Sequence, residues 1–136
     1  MTTITLKNFH TSNVTDMSRM FSGCTALQSI NLPLSAKGIG EKVFEGCTSL
    51  QSVNIPDGVT KLGFKVFSNC ISLSTITIPA SVKTLGQLAF EQCTSLQNIV
   101  YQGTKSEWEY ITKDASWNQD VPCRVVHCID GDVEID

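Results

Sequence analysis

The chain has 136 residues, 41% of them hydrophobic, and its 13 acidic and 10 basic residues leave a net charge of −3. That content suits one ordered domain with a sizeable core and excludes the low-hydrophobicity, high-charge profile of a disordered segment. There is no basic cluster to attract nucleic acid or anionic lipid, and no stretch nears the roughly 20 apolar residues of a membrane span, so neither nucleic acid nor membrane insertion is expected.

At the start, Met1-Thr-Thr-Ile-Thr-Leu-Lys lacks the charged beginning and apolar run of a secretory signal. Ile4-Thr5-Leu6 reads as the strand ending of an incomplete unit, so the expectation is a piece of a longer exported protein; a cytosolic protein follows if Met1 is the native start. Asn13-Val14-Thr15-Asp16-Met17-Ser18-Arg19-Met20 then opens a divergent first repeat, its apolar positions moved by one from the later Val59-Leu62-Gly63 pattern.

From there a period is plain. Phe21, Phe44, Phe67 and Phe90 are spaced 23 residues apart, and Cys24, Cys47, Cys70 and Cys93 keep the same interval, as do Leu27, Leu50, Leu73 and Leu96. A fixed period of this length is the mark of a solenoid, in which single repeats cannot bury their apolar face and must stack. Leu27-x-x-Ile30-x-Leu32 and Leu50-x-x-Val53-x-Ile55 have the L-x-x-L-x-L spacing of one short parallel strand per unit. Pro33, Pro56 and Pro79 close these strands, because proline has no amide hydrogen to donate to a ladder; Gln102 takes that place in the fourth copy. Between strands, Leu85, Ala89, Phe90 and Cys93 suit one face of a short helix, with Gly40, Gly63 and Gly86 at the bend before it.

After Tyr101 the period stops. Thr104 and Glu107 fit a capping box that starts a short helix. Trp108, Ile111 and Trp117 are expected to cover the open end of the core; an aromatic ligand platform is the other reading of the paired tryptophans. Arg124-Val125-Val126-His127-Cys128 reads as a strand and Asp130-Gly131 as a turn. Asp130, Asp132, Glu134 and Asp136 alternate like one side of an extended chain, but the fuller calcium-loop pattern is missing, so a solvated acidic end is expected.

Two stretches resemble a known family. Ile55-Pro56-Asp-Gly-Val59-Thr-Lys-Leu62-Gly63-Phe-Lys-Val66-Phe67-Ser-Asn-Cys70-Ile-Ser-Leu73 resembles the repeat of BspA-like leucine-rich repeat proteins. Thr11-Ser-Asn13-Val14-Thr15-Asp16-Met17-Ser-Arg-Met20-Phe21 is similar to a related variety from the same kinds of bacterial surface protein, and Tyr101-Gln-Gly103-Thr104-Lys-Ser-Glu-Trp108 with Val126-His127-Cys128-Ile-Asp130-Gly131 to the module that often ends such arrays. The resemblance implies a bacterial cell-surface or secreted protein, adhesion as described for some members, and no catalytic residues. The fold expected is an α/β repeat: a leucine-rich repeat solenoid of about four 23-residue units with parallel strands and short helical turns, closed by a helix-plus-strand cap. Residues 1–101 are expected to form the array, the divergent first repeat spanning about 1–33, and residues 102–136 the capping segment.

Six cysteines raise the question of disulfides. Stacked side chains of Cys24, Cys47, Cys70 and Cys93 point the same way, so a column of buried free thiols is expected. Cys123 and Cys128 pair only if the backbone bends between them, which stays open. His127 beside Cys128 matches no strong zinc spacing, and His10 lies at the opposite end of the stack, so no metal, cofactor or catalytic pair is expected. The chain reads as a non-enzyme.

What remains is the outward side of the strands: Gln28, Ser29, Asn31, Gln51, Ser52, Asn54, Ser74, Thr75, Thr77, Gln97 and Asn98, with Val100 at its end. This neutral, polar strip is the candidate binding face, suited to hydrogen bonding with a protein or glycan, though it lacks the aromatic and arginine anchors of tight interfaces. The function expected is a non-catalytic, monomeric binding module for adhesion. The alternatives are a structural spacer or terminal fragment of a longer array, or an intracellular interaction domain.

Overall fold

The computed structural model describes residues 3–5, 19–32, 34 and 36–135. Residues 1–2, 6–18 and 33 of the divergent first repeat, His10 among them, and Asp136 lie outside them.

The chain winds as a parallel β-solenoid with two short strands in each full coil. In order these are β1 (Thr3–Thr5), β2 (Ser29–Asn31), β3 (Gly38–Ile39), β4 (Ser52–Asn54), β5 (Lys61–Leu62), β6 (Thr75–Ile78), β7 (Thr84–Leu85) and β8 (Asn98–Tyr101). The helix α1 (Lys105–Tyr110), β9 (Thr112–Lys113), β10 (Val125–Cys128) and β11 (Gly131–Glu134) complete it. Register follows the period, pairing Ile30 with Val53, Leu62 with Leu85 and Ile76 with Ile99. These inward positions are buried, and stacking them between coils is what removes their apolar surface from water.

The second strand of each coil lies where a helical turn was expected. Leu85, Ala89, Phe90 and Cys93 are all fully buried, so the inward face was read correctly, but the backbone carrying them is a two-residue strand followed by a six-residue turn. Each corner has two left-handed residues, Lys42 and Gly46, Lys65 and Asn69, or Leu88 and Gln92, with φ between 53° and 75°. A right-handed helix cannot pass through such residues. Alternate amides reach the next coil instead, as in Lys65 N to Gln87 O (3.0 Å), Phe67 N to Ala89 O (2.8 Å) and Asn69 N to Glu91 O (2.8 Å). The corner is in effect a third ladder, and its inward residues form the phenylalanine column, with neighbouring rings stacked at 5.3–5.6 Å.

Nor does the winding stop at Tyr101. β9 pairs in parallel with β7, Thr112 standing 28 residues beyond Thr84, and β10 pairs with β8, Val126 standing 27 beyond Ile99. Between them Ser116 and Asp120 repeat the left-handed corner. The coil is lengthened to hold α1, whose first turn is closed by a reciprocal pair: Thr104 Oγ1 accepts from Glu107 N (3.1 Å) and Glu107 Oε1 from Thr104 N (2.9 Å). Trp108, Ile111 and Trp117 are buried, and Trp117 meets the last ring of the column, Phe90, edge-on at 6.1 Å. A hollow of about 290 Å³ borders both tryptophans, with Glu109, Lys113, Val133, Glu134 and Ile135 around it. β11 folds back antiparallel on β10, and Asp130 Oδ1 at its turn accepts from Lys105 N (2.8 Å), tying the hairpin to the start of α1.

Candidate functional site

The polar strip lies on the outer face of β2, β4, β6 and β8. Asn31, Gln51, Ser52, Asn54, Ser74, Thr75 and Gln97 are exposed, while Gln28, Ser29, Thr77, Asn98 and Val100 are half-buried. Strand alternation explains the arrangement, since Ile30, Val53, Ile76 and Ile99 between them are turned into the core.

The face is not one continuous sheet. β1, β2 and β4 form a three-stranded sheet and β6, β8, β10 and β11 a four-stranded one, so strand pairing breaks between β4 and β6. Side chains stitch the coils there: Ser72 Oγ donates to Thr48 O (2.7 Å), and Ser81 Oγ accepts from Gly58 N (3.1 Å) and donates to Val59 O (2.7 Å). At the break a hollow of about 290 Å³ opens, lined by Asn31, Ser52, Val53, Asn54, Ile55, Thr77 and Gln102. It stands at the small end of ligand pockets, which run to roughly 300–1,000 Å³. Three amides and two hydroxyls ring an apolar base of Val53 and Ile55, at 8% and 7% exposure among the more accessible core residues. Such a rim both donates and accepts hydrogen bonds, and carries no charge to titrate.

Four of the strip residues thus meet in one concavity: Asn31, Ser52, Asn54 and Thr77. The others continue the face on either side. Gln102 was not among the expected site residues. Its signal was its position, where a polar, amide-bearing side chain replaces the proline of earlier coils, and its backbone N–H donates to Ile78 O (3.0 Å).

The other chemistry-bearing residues do not converge. All six cysteines are free, Cys123 and Cys128 included. Cys47, Cys70 and Cys93 donate their thiol hydrogens to the carbonyls of Phe21, Phe44 and Phe67 at 3.1–3.2 Å. Burial pushes the Cys47 thiol up to about 11 and Cys93 to about 12, and raises Cys70 as well, so none supplies a thiolate near neutral pH. His127 Nδ1 sits 2.8 Å from Asp132 Oδ1 in the terminal hairpin. Among the described residues no three His, Cys, Asp or Glu side chains are grouped to hold a metal ion.

The repeat pattern named BspA type Leucine rich repeat region matches residues 2–119 in six copies. This chain belongs to the BspA-type leucine-rich repeat family. The matched span runs through the corner at Ser116, in keeping with a coil that continues past Tyr101. Among solved structures, a leucine rich cell surface protein of Faecalibacterium prausnitzii A2-165 is 40% identical with a TM-score of 0.68, over 73% of this chain and 26% of that one. A leucine rich repeat protein of T. pallidum is 36% identical (TM-score 0.62; 64% of this chain, 41% of that one). A leucine-rich repeat protein from Bacteroides ovatus is 35% identical (TM-score 0.60; 64% and 23%). The BspA-type chain therefore spans between about a quarter and two-fifths of the length of these relatives. A comparison with curated proteins finds no match.

Proposed function

We propose that this chain is a non-catalytic binding module of a bacterial surface or secreted protein, and that it takes a protein or glycan ligand on the polar strand face, with adhesion as the outcome. The observation that carries the reading is the hollow at the break between β4 and β6, where Asn31, Ser52, Asn54, Thr77 and Gln102 surround an apolar base. A cavity of that make-up meets the hydroxyls and flat apolar patches of a sugar, or the backbone and short side chains of a peptide loop. Kinship with a cell surface protein supports the location. The module is taken to act as a monomer, with residues 1–101 as the regular array and 102–136 as the lengthened coil and hairpin that close its end. The absence of arginine and aromatic anchors along the strip implies modest affinity per module, which a longer array would raise by multivalency.

The test is a pull-down against matrix proteins together with a glycan array, run with the wild type and with the double variant Asn54→Lys and Thr77→Lys. Binding is expected to be abolished in the variant with thermal unfolding unchanged. Equal binding by both proteins would remove the strip from the account. A spacer that binds nothing itself is the second reading; it predicts no ligand for either protein.

A further inference from the structure

Basic residues scattered along the sequence gather on another side of the solenoid. β3, β5 and β7 form part of a second sheet, with Gly38, Lys61 and Thr84 in register on successive rungs and Ile39, Leu62 and Leu85 buried beside them. Lys37, Lys61 and Lys83 are exposed on three consecutive rungs; Thr60 links the outer two, its N–H donating to Lys37 O (2.9 Å) and its carbonyl accepting from Lys83 N (2.8 Å). At the adjoining corners, the Lys42 and Lys65 ammonium groups lie 5.9 and 5.6 Å from the centre of the half-buried Phe64 ring. Half of the chain's 10 basic residues thus lie on this sheet or at the corners that follow it.

The carboxylates near this face are partly committed. Glu41 meets Arg19 at 2.9 Å, and Glu91 meets Lys65 at 4.0 Å while accepting from Ser68 Oγ at 2.9 Å. Lys37, Lys42, Lys61 and Lys83 have no described carboxylate within 4.0 Å. Elsewhere the acids are concentrated in residues 102–136, which hold eight of the 13 alongside three bases, Lys105, Lys113 and Arg124. The net charge of −3 is therefore unevenly distributed, since residues 1–101 carry seven bases against five acids, Glu41, Glu45, Asp57 and Glu91 among them.

We propose that the face carrying Lys37, Lys61 and Lys83 binds a linear anionic polysaccharide, sulfated or uronate-bearing, laid across the rungs along the solenoid axis. Lys37 and Lys83 stand two rungs apart with Thr60 between them, and Lys61 lies one residue further along the middle rung, so the cations are staggered along the axis in a way that a flexible strand of repeated anions can follow. Lysine contributes a point charge on a rotatable stem, so it follows a polymer of variable sulfation without demanding one bidentate geometry. Phe64 lies beneath two ammonium groups and is half-buried, so it is poorly placed to stack on a nucleobase or to enter a bilayer. This surface is distinct from the neutral strip, and neither depends on the other.

Heparin serves as the probe, titrated by calorimetry from low to physiological salt. Binding is expected to weaken steeply with salt, and the triple variant K37Q/K61Q/K83Q to bind at least roughly tenfold more weakly, its salt slope shallower by about 2 on the basis of counterion release near 0.7 per contact. K105Q, which removes one cation on α1, is expected to bind as the wild type does while K61Q alone binds more weakly; N54K/T77K retains heparin binding. No binding at low salt, or undiminished affinity in the triple variant, overturns the proposal. So does equally tight, equally lysine-dependent binding of duplex DNA or of phosphatidylserine vesicles.

Discussion

Replacing Phe67 with alanine is expected to destabilise the protein by about 3–5 kcal/mol, read from the shift in chemical denaturation. Phe67 is fully buried, its ring 5.3 Å from Phe44 on one side and 5.3 Å from Phe90 on the other. Two contributions add: the apolar surface returned to water on unfolding shrinks, and a cavity is left behind. The second is large here because the walls cannot close. Phe44 N is bonded to Val66 O at 2.9 Å and Phe67 N to Ala89 O at 2.8 Å, so the coils on both sides are held at ladder spacing whatever the side chain between them. Phe67 also sits mid-column, where stability passes from coil to coil through nearest-neighbour contacts. A shift below about 1 kcal/mol would mean that the phenylalanine column is not the core.

The second large effect comes from adding one methyl group. Gly86→Ala would place a Cβ 2.6 Å from the carbonyl carbon of Gly63 and 2.8 Å from Phe64 N, and both are backbone atoms. Neither coil can yield locally, since Gly86 N donates to Leu62 O and Gly63 N to Ile39 O, each at 2.7 Å. A loss of roughly 3 kcal/mol or more is expected, beyond the ordinary cost of overpacking, because rigid main chain rather than a rotatable side chain must move. Gly46→Ala is the informative comparison. Its φ of +75° carries strain, but the nearest atom to a new Cβ is 3.8 Å away, and the equivalent corners already hold Asn69 and Gln92. The smaller loss there, about 1–2 kcal/mol for a left-handed alanine, is checked in the same melting experiments. Equal losses at the two glycines would deny the close approach of coils at Gly63 and Gly86.

The period, the inward columns and the outward strip were legible because strand alternation and a 23-residue repeat leave direct marks on residue type. The corners were not. Leu85, Ala89, Phe90 and Cys93 fall at offsets that a helix face and a coil bending round a core both produce, and the residues that decide between them, Lys65 and Leu88, are not types that advertise a positive φ. The last coil was hidden for a different reason. Inserting α1 stretches its spacing to 27–28 residues and places Trp117 at the inward position where earlier coils carry Val43, Val66 and Ala89, so the pattern ends while the winding goes on. At the candidate site, exposure of Asn54 and Thr77 follows from alternation, but the hollow between them depends on β4 and β6 failing to pair, which no local residue preference encodes. The basic face left no periodic mark because Lys37 and Lys83 stand two periods apart with Thr60 between them and Lys61 falls one residue off, so the three come together only once the coils are stacked.

The solenoid depends on amides that bond from one coil to the next, and residue-resolved amide hydrogen exchange tests that directly. Slow exchange is predicted at Phe44, Phe67 and Phe90 and at Gly63 and Gly86, whose N–H groups reach a neighbouring coil, with protection recurring at the 23-residue interval. Rapid exchange at these amides would contradict the solenoid described here.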